Sequence, residues 1–213
     1  MSHQSQPHAS HEPIAGGRVA SIDGVIHAPD EAKVSVYDRG FLYGDSVFET
    51  VRTYAGEPFA LDEHITRLER SARRVGITLP IAPADLAMEV RLALRAARNA
   101  ESSARIMITR GSGPVGLDPA LAGTPLRVIL VEPLAVPAAS LYRDGARVIT
   151  VRTERAGDAA HGAKVGNYLA SLLALQRARI AGAHEALILD AGGRVVEGTT
   201  SNVFLVRAGG ERG

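Results

Sequence analysis

The 213-residue sequence contains no cysteine. Disulfides, thiolate metal sites and cysteine nucleophiles are thereby excluded. No apolar run approaches the roughly 18–20 residues of a membrane span, so no membrane partner is expected. Charge of one sign is also missing: the formal net charge is +1. A chain so balanced lacks the basic surplus of a nucleic-acid binder. The polar stretch from Met1 to Pro13 has no apolar core and is not a signal peptide. We read residues 1–17 as a disordered leader. Within it His3, His8 and His11 have the chemistry to bind a metal, but a floppy tail is the favoured reading. No metal site is expected, and the setting is read as cytoplasmic. What remains is 46% hydrophobic and 22% charged, the balance of an ordinary globular protein.

Lysine is nearly absent too. Only Lys33 and Lys164 occur, against 22 arginines. Lysine can lose a proton and attack a carbonyl, whereas arginine stays protonated. Lys164 lies in a glycine-flanked segment, His161 to Tyr168. It is therefore the first candidate nucleophile, although a surface lysine spared by chance is the plain alternative.

The local patterns predict an α+β protein. Arg18 to Ile26 reads as a β-hairpin turning at Asp23-Gly24. Val47 to Tyr54 is a strand, and Phe59 to Leu61 returns from a turn at Ala55 to Pro58. Asp62 is the expected N-cap of a helix that stops near Gly76, with Ile65, Leu68, Ala72 and Val75 at helical spacing. A second helix follows Pro83 and runs to about Asn99. Arg105 to Thr109 and Arg127 to Val131 are strands, separated by a loop rich in Gly and Pro. Prolines at 133 and 137 mark a linker over 133–141. It divides a small N-terminal α/β domain, 18–132, from the first part of a second domain, 142–213. There we expect a strand over Ala146 to Arg152, a helix from Tyr168 to Ala181, a strand over Glu185 to Leu189 and a final strand pair ending near Val206. The irregular alternation favours α+β over a doubly wound sheet.

Three further features bear on chemistry. Glu197 leads into the turn Gly198-Thr199-Thr200-Ser201, whose amides and hydroxyls suit a phosphate. His64 and Arg67 stand three apart on one helix face. Arg67 offers a planar fork for a phosphate. A lysine for an aldehyde, an acid for a ring nitrogen and an arginine for a phosphate are the contacts that pyridoxal 5′-phosphate requires. Each has an ordinary reading as well: a turn acid, a helix-surface charge, a plain hairpin.

In order and spacing these segments resemble the fold-type IV, class IV aminotransferases. That family includes branched-chain and D-amino-acid aminotransferases and aminodeoxychorismate lyase. The similarity runs from about Val19 to Val206. It is carried by Asp38 to Glu49, His64 to Leu68, Thr109 to Gly113, the Lys164 segment and Glu197 to Phe204. The resemblance implies that Lys164 bonds the cofactor and then moves the substrate α-proton. It further implies that Glu197 pairs with the ring nitrogen, Arg67 binds the phosphate with Thr199 and Thr200, and Tyr168 meets the phenolic oxygen. Tyr43, Phe48 and Arg105 would line the substrate side, with Val115 and Leu117 in an apolar side-chain pocket. It also implies a larger, β-rich C-terminal domain, truncated here, and a homodimer in which the Gly111-to-Pro119 loop reaches the neighbouring site.

Among the branches, Gly113-Pro114-Val115-Gly116-Leu117-Asp118-Pro119 and Gly166-Asn167-Tyr168-Leu169 look like the branched-chain enzymes. The Arg-x-His trap of the D-amino-acid enzymes is replaced by Val115 and Leu117. Four features depart from the branched-chain pattern. The interval from Lys164 to Asn167 is one residue shorter and matches the D-specific and lyase branches, Thr199-Thr200-Ser201-Asn202 leans the same way, Ser103 stands where a tyrosine is common, and Thr50 replaces a glycine. The expected function is transfer of an amino group from a branched-chain L-amino acid to 2-oxoglutarate. The alternatives are a D-amino-acid transaminase, an aminodeoxychorismate lyase, or a chain that keeps the fold without turnover.

Overall fold

The computed structural model describes residues 17–152 and 164–206. They form two compact units. The first comprises 17–135 with 164–166; the second comprises 136–152 with 167–206. The His-rich leader up to residue 16 lies outside the described residues.

The first unit is an antiparallel sheet covered by helices. Strand β1 (Val19–Ile22) turns at Asp23 and Gly24, both at positive φ, into β2 (Val25–His27). Such a pair of left-handed residues matches the twist of a two-residue hairpin. A short helix, α1 (Arg39–Tyr43), is capped by the Asp38 carboxylate and has no counterpart in the sequence reading. Strand β3 (Ser46–Tyr54) turns into the two-residue β4 (Glu57–Pro58). Helices α2 (Leu61–Arg74) and α3 (Pro83–Ala97) follow, then β5 (Ser102–Thr109) and β6 (Arg127–Pro133). The sheet order is β2-β1-β6-β5-β3-β4.

Asp62 is not the N-cap of α2. The helix starts two residues earlier, after Ala60 in a left-handed conformation, and Asp62 and Glu63 occupy its first turn. Their charges there favour the positive helix end. Gly76, at positive φ, follows the helix as expected.

Alternation along β3 decides what each face carries. Val47 and Val51 point toward the helices and are fully buried with Leu68, Leu86, Val90, Ile106 and Ile129. Truncating a buried leucine such as Leu68 to Ala costs about 2–5 kcal/mol. Phe48 and Thr50 take the opposite face.

The second unit holds α4 (Ala139–Asp144), β7 (Val148–Arg152), α5 (Leu169–Ile180), β8 (Glu185–Leu189) and β9 (Val195–Gly198). Within 133–141, then, β6 extends to Pro133 and α4 begins at Ala139. Strands β7 and β8 pair in parallel, which the irregular sequence pattern did not foretell, and β9 adds antiparallel to β8. Ala174 and Ala178 of α5 pack with Ala183, Ala186, Val151 and Ile188. Small side chains let the helix approach the sheet closely. The final strand expected near Val206 does not form: 201–206 has no regular structure. No helix among the described residues is long and apolar enough to cross a membrane.

Candidate active site

The Lys164 segment is laid along the outer edge of β3. The Phe48 amide donates to the Lys164 carbonyl at 3.0 Å, and the Gly166 amide donates to the Ser46 carbonyl at 2.8 Å. Val165 thereby bridges Val47. These bonds satisfy groups that an open edge would leave exposed. A Cβ at Gly166 would meet the Ser46 hydroxyl, so any other residue here requires that hydroxyl to turn away. The Lys164 amide also approaches the Ser71 hydroxyl of α2, at 3.4 Å. The backbone of the candidate nucleophile is thus tied to a rigid strand and not left on a free loop.

The Lys164 side chain is half-buried, and its amine lies 4.6 Å from the centre of the Phe48 ring. The Arg105 guanidinium lies 3.9 Å from the same ring. Phe48 itself is buried. Two cations therefore share one aromatic side chain, and cation–π attraction holds each against it. Arg105 also lines a hollow with Thr50, Ser103, Leu130 and Glu132. Lys164, Phe48 and Arg105 are thus brought together.

On the helix side of β3, Arg67 is engaged by an acid that the sequence reading did not single out. Its Nε donates to Glu49 at 2.6 Å and its Nη2 at 2.5 Å, while His64 Nδ1 lies 2.8 Å from the same carboxylate. Burial alone would raise the Glu49 carboxyl, but Arg67 and His64 outweigh it and hold it below the ordinary carboxylate range. Glu49 lies in phase with Val47 and Val51 on the inward face. An acid in the buried register of a strand was the available signal.

Arg39, Asp45 and Arg110 form a second ionic knot. Arg110 donates twice to Asp45, at 2.7 and 3.0 Å, and reaches the carbonyls of Val75 and Gly76 at the end of α2. Desolvation raises the Asp45 carboxyl, yet Arg110 and Arg39 outweigh it and leave it lowered. Arg39 also donates to the carbonyls of Gly116 and Leu117, at 2.8 and 3.2 Å. The Gly116 amide donates to the Tyr43 hydroxyl. Tyr43 therefore holds the 111–119 loop by its hydroxyl. Val115 and Leu117 stand in solvent at 71% and 79% exposure, not packed in an apolar pocket of their own chain.

In the second unit, Tyr168 caps α5 and is half-buried. Glu197 lies on β9 opposite Ile188, and β9 ends at Gly198 as the strand-to-turn reading required. Thr199 is buried, and its hydroxyl and amide both donate to Glu185 at the start of β8. Thr200 is exposed beside it. Glu185 was also missed; an acid opening an apolar strand offers only a weak signal.

The family model for amino-transferase class IV matches residues 46–211. A protein of Methanocaldococcus jannaschii described as a "Putative branched-chain-amino-acid aminotransferase" is 43% identical over 191 residues, 88% of this chain and 65% of its own length. The D-alanine aminotransferase of Bacillus licheniformis is 31% identical, over 87% of this chain and 64% of its own. Among solved structures, the branched-chain aminotransferase of the thermophilic archaeon Thermoproteus uzoniensis with norvaline superposes with a TM-score of 0.74. It is 31% identical, over 86% of this chain and 63% of that one. The chain thus spans a little under two thirds of the length of these relatives. It belongs to the class IV aminotransferases.

Proposed function

We propose that this chain carries the lysine, phosphate and substrate-side residues of a pyridoxal 5′-phosphate-dependent transaminase. The reaction is transfer of the amino group of a branched-chain L-amino acid to 2-oxoglutarate. The carrying observation is the Lys164 amine held against Phe48 and fixed through its backbone to β3.

The chemistry of the donors suits the cofactor, each unit taken by itself. Lys164 is a half-buried amine that bonds an aldehyde once deprotonated. Arg67 presents a charged fork whose Nη1 makes no hydrogen bond among the described residues. That free nitrogen suits a phosphate oxygen. Thr199 and Thr200 border a turn of small residues that suits the same group, and Glu197 is the acid for a ring nitrogen. Tyr168 is the donor for the phenolic oxygen. The cofactor, when bound, supplies an aldehyde and an electron-accepting ring. With that group bound, Lys164 Nζ would take the α-proton from the substrate and deliver it to the carbon that carried the cofactor's aldehyde. Arg105 attracts a substrate carboxylate, and Phe48 screens the Lys164 amine from water.

The branched-chain reading is supported by the 43% identical relative and by the apolar pair Val115 and Leu117. We further propose a homodimer, because the 111–119 loop presents this pair outward, where a neighbouring subunit can receive it. Light scattering on the full-length protein checks the dimer. The similarity to the D-alanine aminotransferase of Bacillus licheniformis favours a second reading, a D-amino-acid transaminase. The deciding experiment is the visible spectrum of the full-length holoenzyme before and after L-leucine or D-alanine. Bleaching of the yellow band by L-leucine alone supports the first reading, and bleaching by D-alanine alone supports the second. A band that neither amine changes rejects both.

A further inference from the structure

We infer that Glu49 is a positioning residue that presets Arg67 for the cofactor phosphate. The inference rests on the reading of Arg67 as the phosphate ligand.

Glu49 occupies an inward position of β3 between Val47 and Val51, and its side chain is 0% exposed. A carboxylate removed from water needs partners. Arg67 and His64 supply them. Stability alone does not account for an acid in this slot. Well-packed apolar side chains commonly match or exceed a buried ion pair in stability.

What the pair does is fix a direction. Arg67 projects from α2 with 49% of its side chain exposed. A free arginine there would sample many rotamers and lose that freedom on gripping an anion. Two parallel hydrogen bonds to Glu49 set the plane of the guanidinium in advance. The Nε–Nη2 edge is occupied, and Arg67 lines a surface hollow where His64 and Arg70 stand beside two acids, Asp62 and Glu63. A second effect opposes this one, because the Glu49 charge repels an approaching phosphate. Presetting prevails if the Coulomb contribution through Arg67 is largely screened at the exposed end.

The test uses the full-length protein stripped of cofactor. Dissociation constants are measured by absorbance for pyridoxal 5′-phosphate and for pyridoxal, which lacks the phosphate. The proteins are wild type, Glu49→Gln, Arg67→Ala and the double variant. We expect Glu49→Gln to weaken pyridoxal 5′-phosphate roughly tenfold, leave pyridoxal unchanged and add nothing to Arg67→Ala. Equal loss for both ligands, unchanged or tighter phosphate binding, or additive losses in the double variant overturn the inference. If Arg67→Ala itself leaves pyridoxal 5′-phosphate binding unchanged, the phosphate reading has failed and takes this inference with it. If Arg67→Ala weakens binding and Glu49→Gln does not, only this inference fails. Should Glu49→Gln not fold, Glu49→Asp keeps the charge but withdraws it by one methylene, and the same selective loss is expected. If neither variant folds, Glu49 is a stability residue and the positioning role is rejected.

Discussion

The Glu185 carboxylate accepts two hydrogen bonds from one residue, Thr199: from its hydroxyl at 2.5 Å and from its amide at 3.3 Å. The start of β8 thereby holds the turn that follows β9. The Ser201 hydroxyl lies within reach of the same carboxylate at 3.4 Å. Desolvation would raise the Glu185 carboxyl, but the hydroxyl and amide donors outweigh it and keep it lowered. Glu185→Ala leaves the buried Thr199 hydroxyl without its acceptor. A loss of about 1.5–3 kcal/mol is expected, the range for a hydrogen bond to a charged group. Hydrogen exchange should accelerate across 197–201. Unchanged protection there would show that the turn is held by something else.

Removing the proposed nucleophile is the plainest test of the chemistry. Lys164→Ala should abolish amino transfer and leave the fold intact, because the contacts holding the segment to β3 are made by its backbone. Borohydride reduction followed by mass spectrometry gives an independent readout. Wild type should retain cofactor on the peptide containing Lys164, and the variant should retain none. Turnover in the variant would sink the mechanism.

Arg39 controls the 111–119 loop from beneath. It is buried and serves three acceptors: Asp45 and the carbonyls of Gly116 and Leu117. A lysine ammonium cannot span the three as a planar fork does. Arg39→Lys should cost roughly 2–3 kcal/mol in urea denaturation. Proteolysis should also quicken at 112–118. Gly113→Ala should loosen the same loop by another route, since its Cβ would collide with the Leu121 carbonyl oxygen. Val115→Ser, at an exposed site, should change neither measurement. Equal protease resistance in all three variants would rule out the clamp.

Acid should destabilise the protein through the same carboxyls. Asp45, Glu49 and Glu185 are all lowered in the folded state. A lowered folded value adds stability above the ordinary carboxyl range, and that stability is lost as pH falls through the folded value. The melting temperature should therefore hold steady near neutrality and fall steeply below about pH 4.5. Glu49→Gln should melt lower at neutral pH and show a shallower acid slope. A variant with the wild-type slope would remove Glu49 from this account.

Much of this was legible in sequence because it rests on short-range rules. The Asp23-Gly24 turn, Pro83 opening α3 and Gly76 after α2 each follow from the φ angles those residues favour. Lys164 stood out by composition, and Arg67 by its helical spacing from His64.

What escaped depends on partners distant in sequence. Glu49 finds Arg67 only when α2 lies over β3, and Glu185 finds Thr199 only after β9 pairs with β8. The parallel pairing of β7 with β8 leaves no local mark either. The strand expected near Val206 failed for a related reason: β-branched and aromatic residues such as Val203 and Phe204 favour a strand only where a neighbouring strand receives them. The cap was misplaced by two residues, because acids such as Asp62 suit both the cap and the first helical turn.

The pleat of β3 has one last consequence. Phe48 serves Lys164 and Arg105 on one face, and Glu49 serves Arg67 on the other, with no residue between them. Deleting one residue upstream in this strand would exchange the two faces at a stroke. The ring would be thrust among the helices, and the carboxylate would be set beside the amine. Such a chain could keep every hydrogen bond of its sheet and still lose both halves of its chemistry. Length variation should therefore be purged from 46–50 more strictly than substitution.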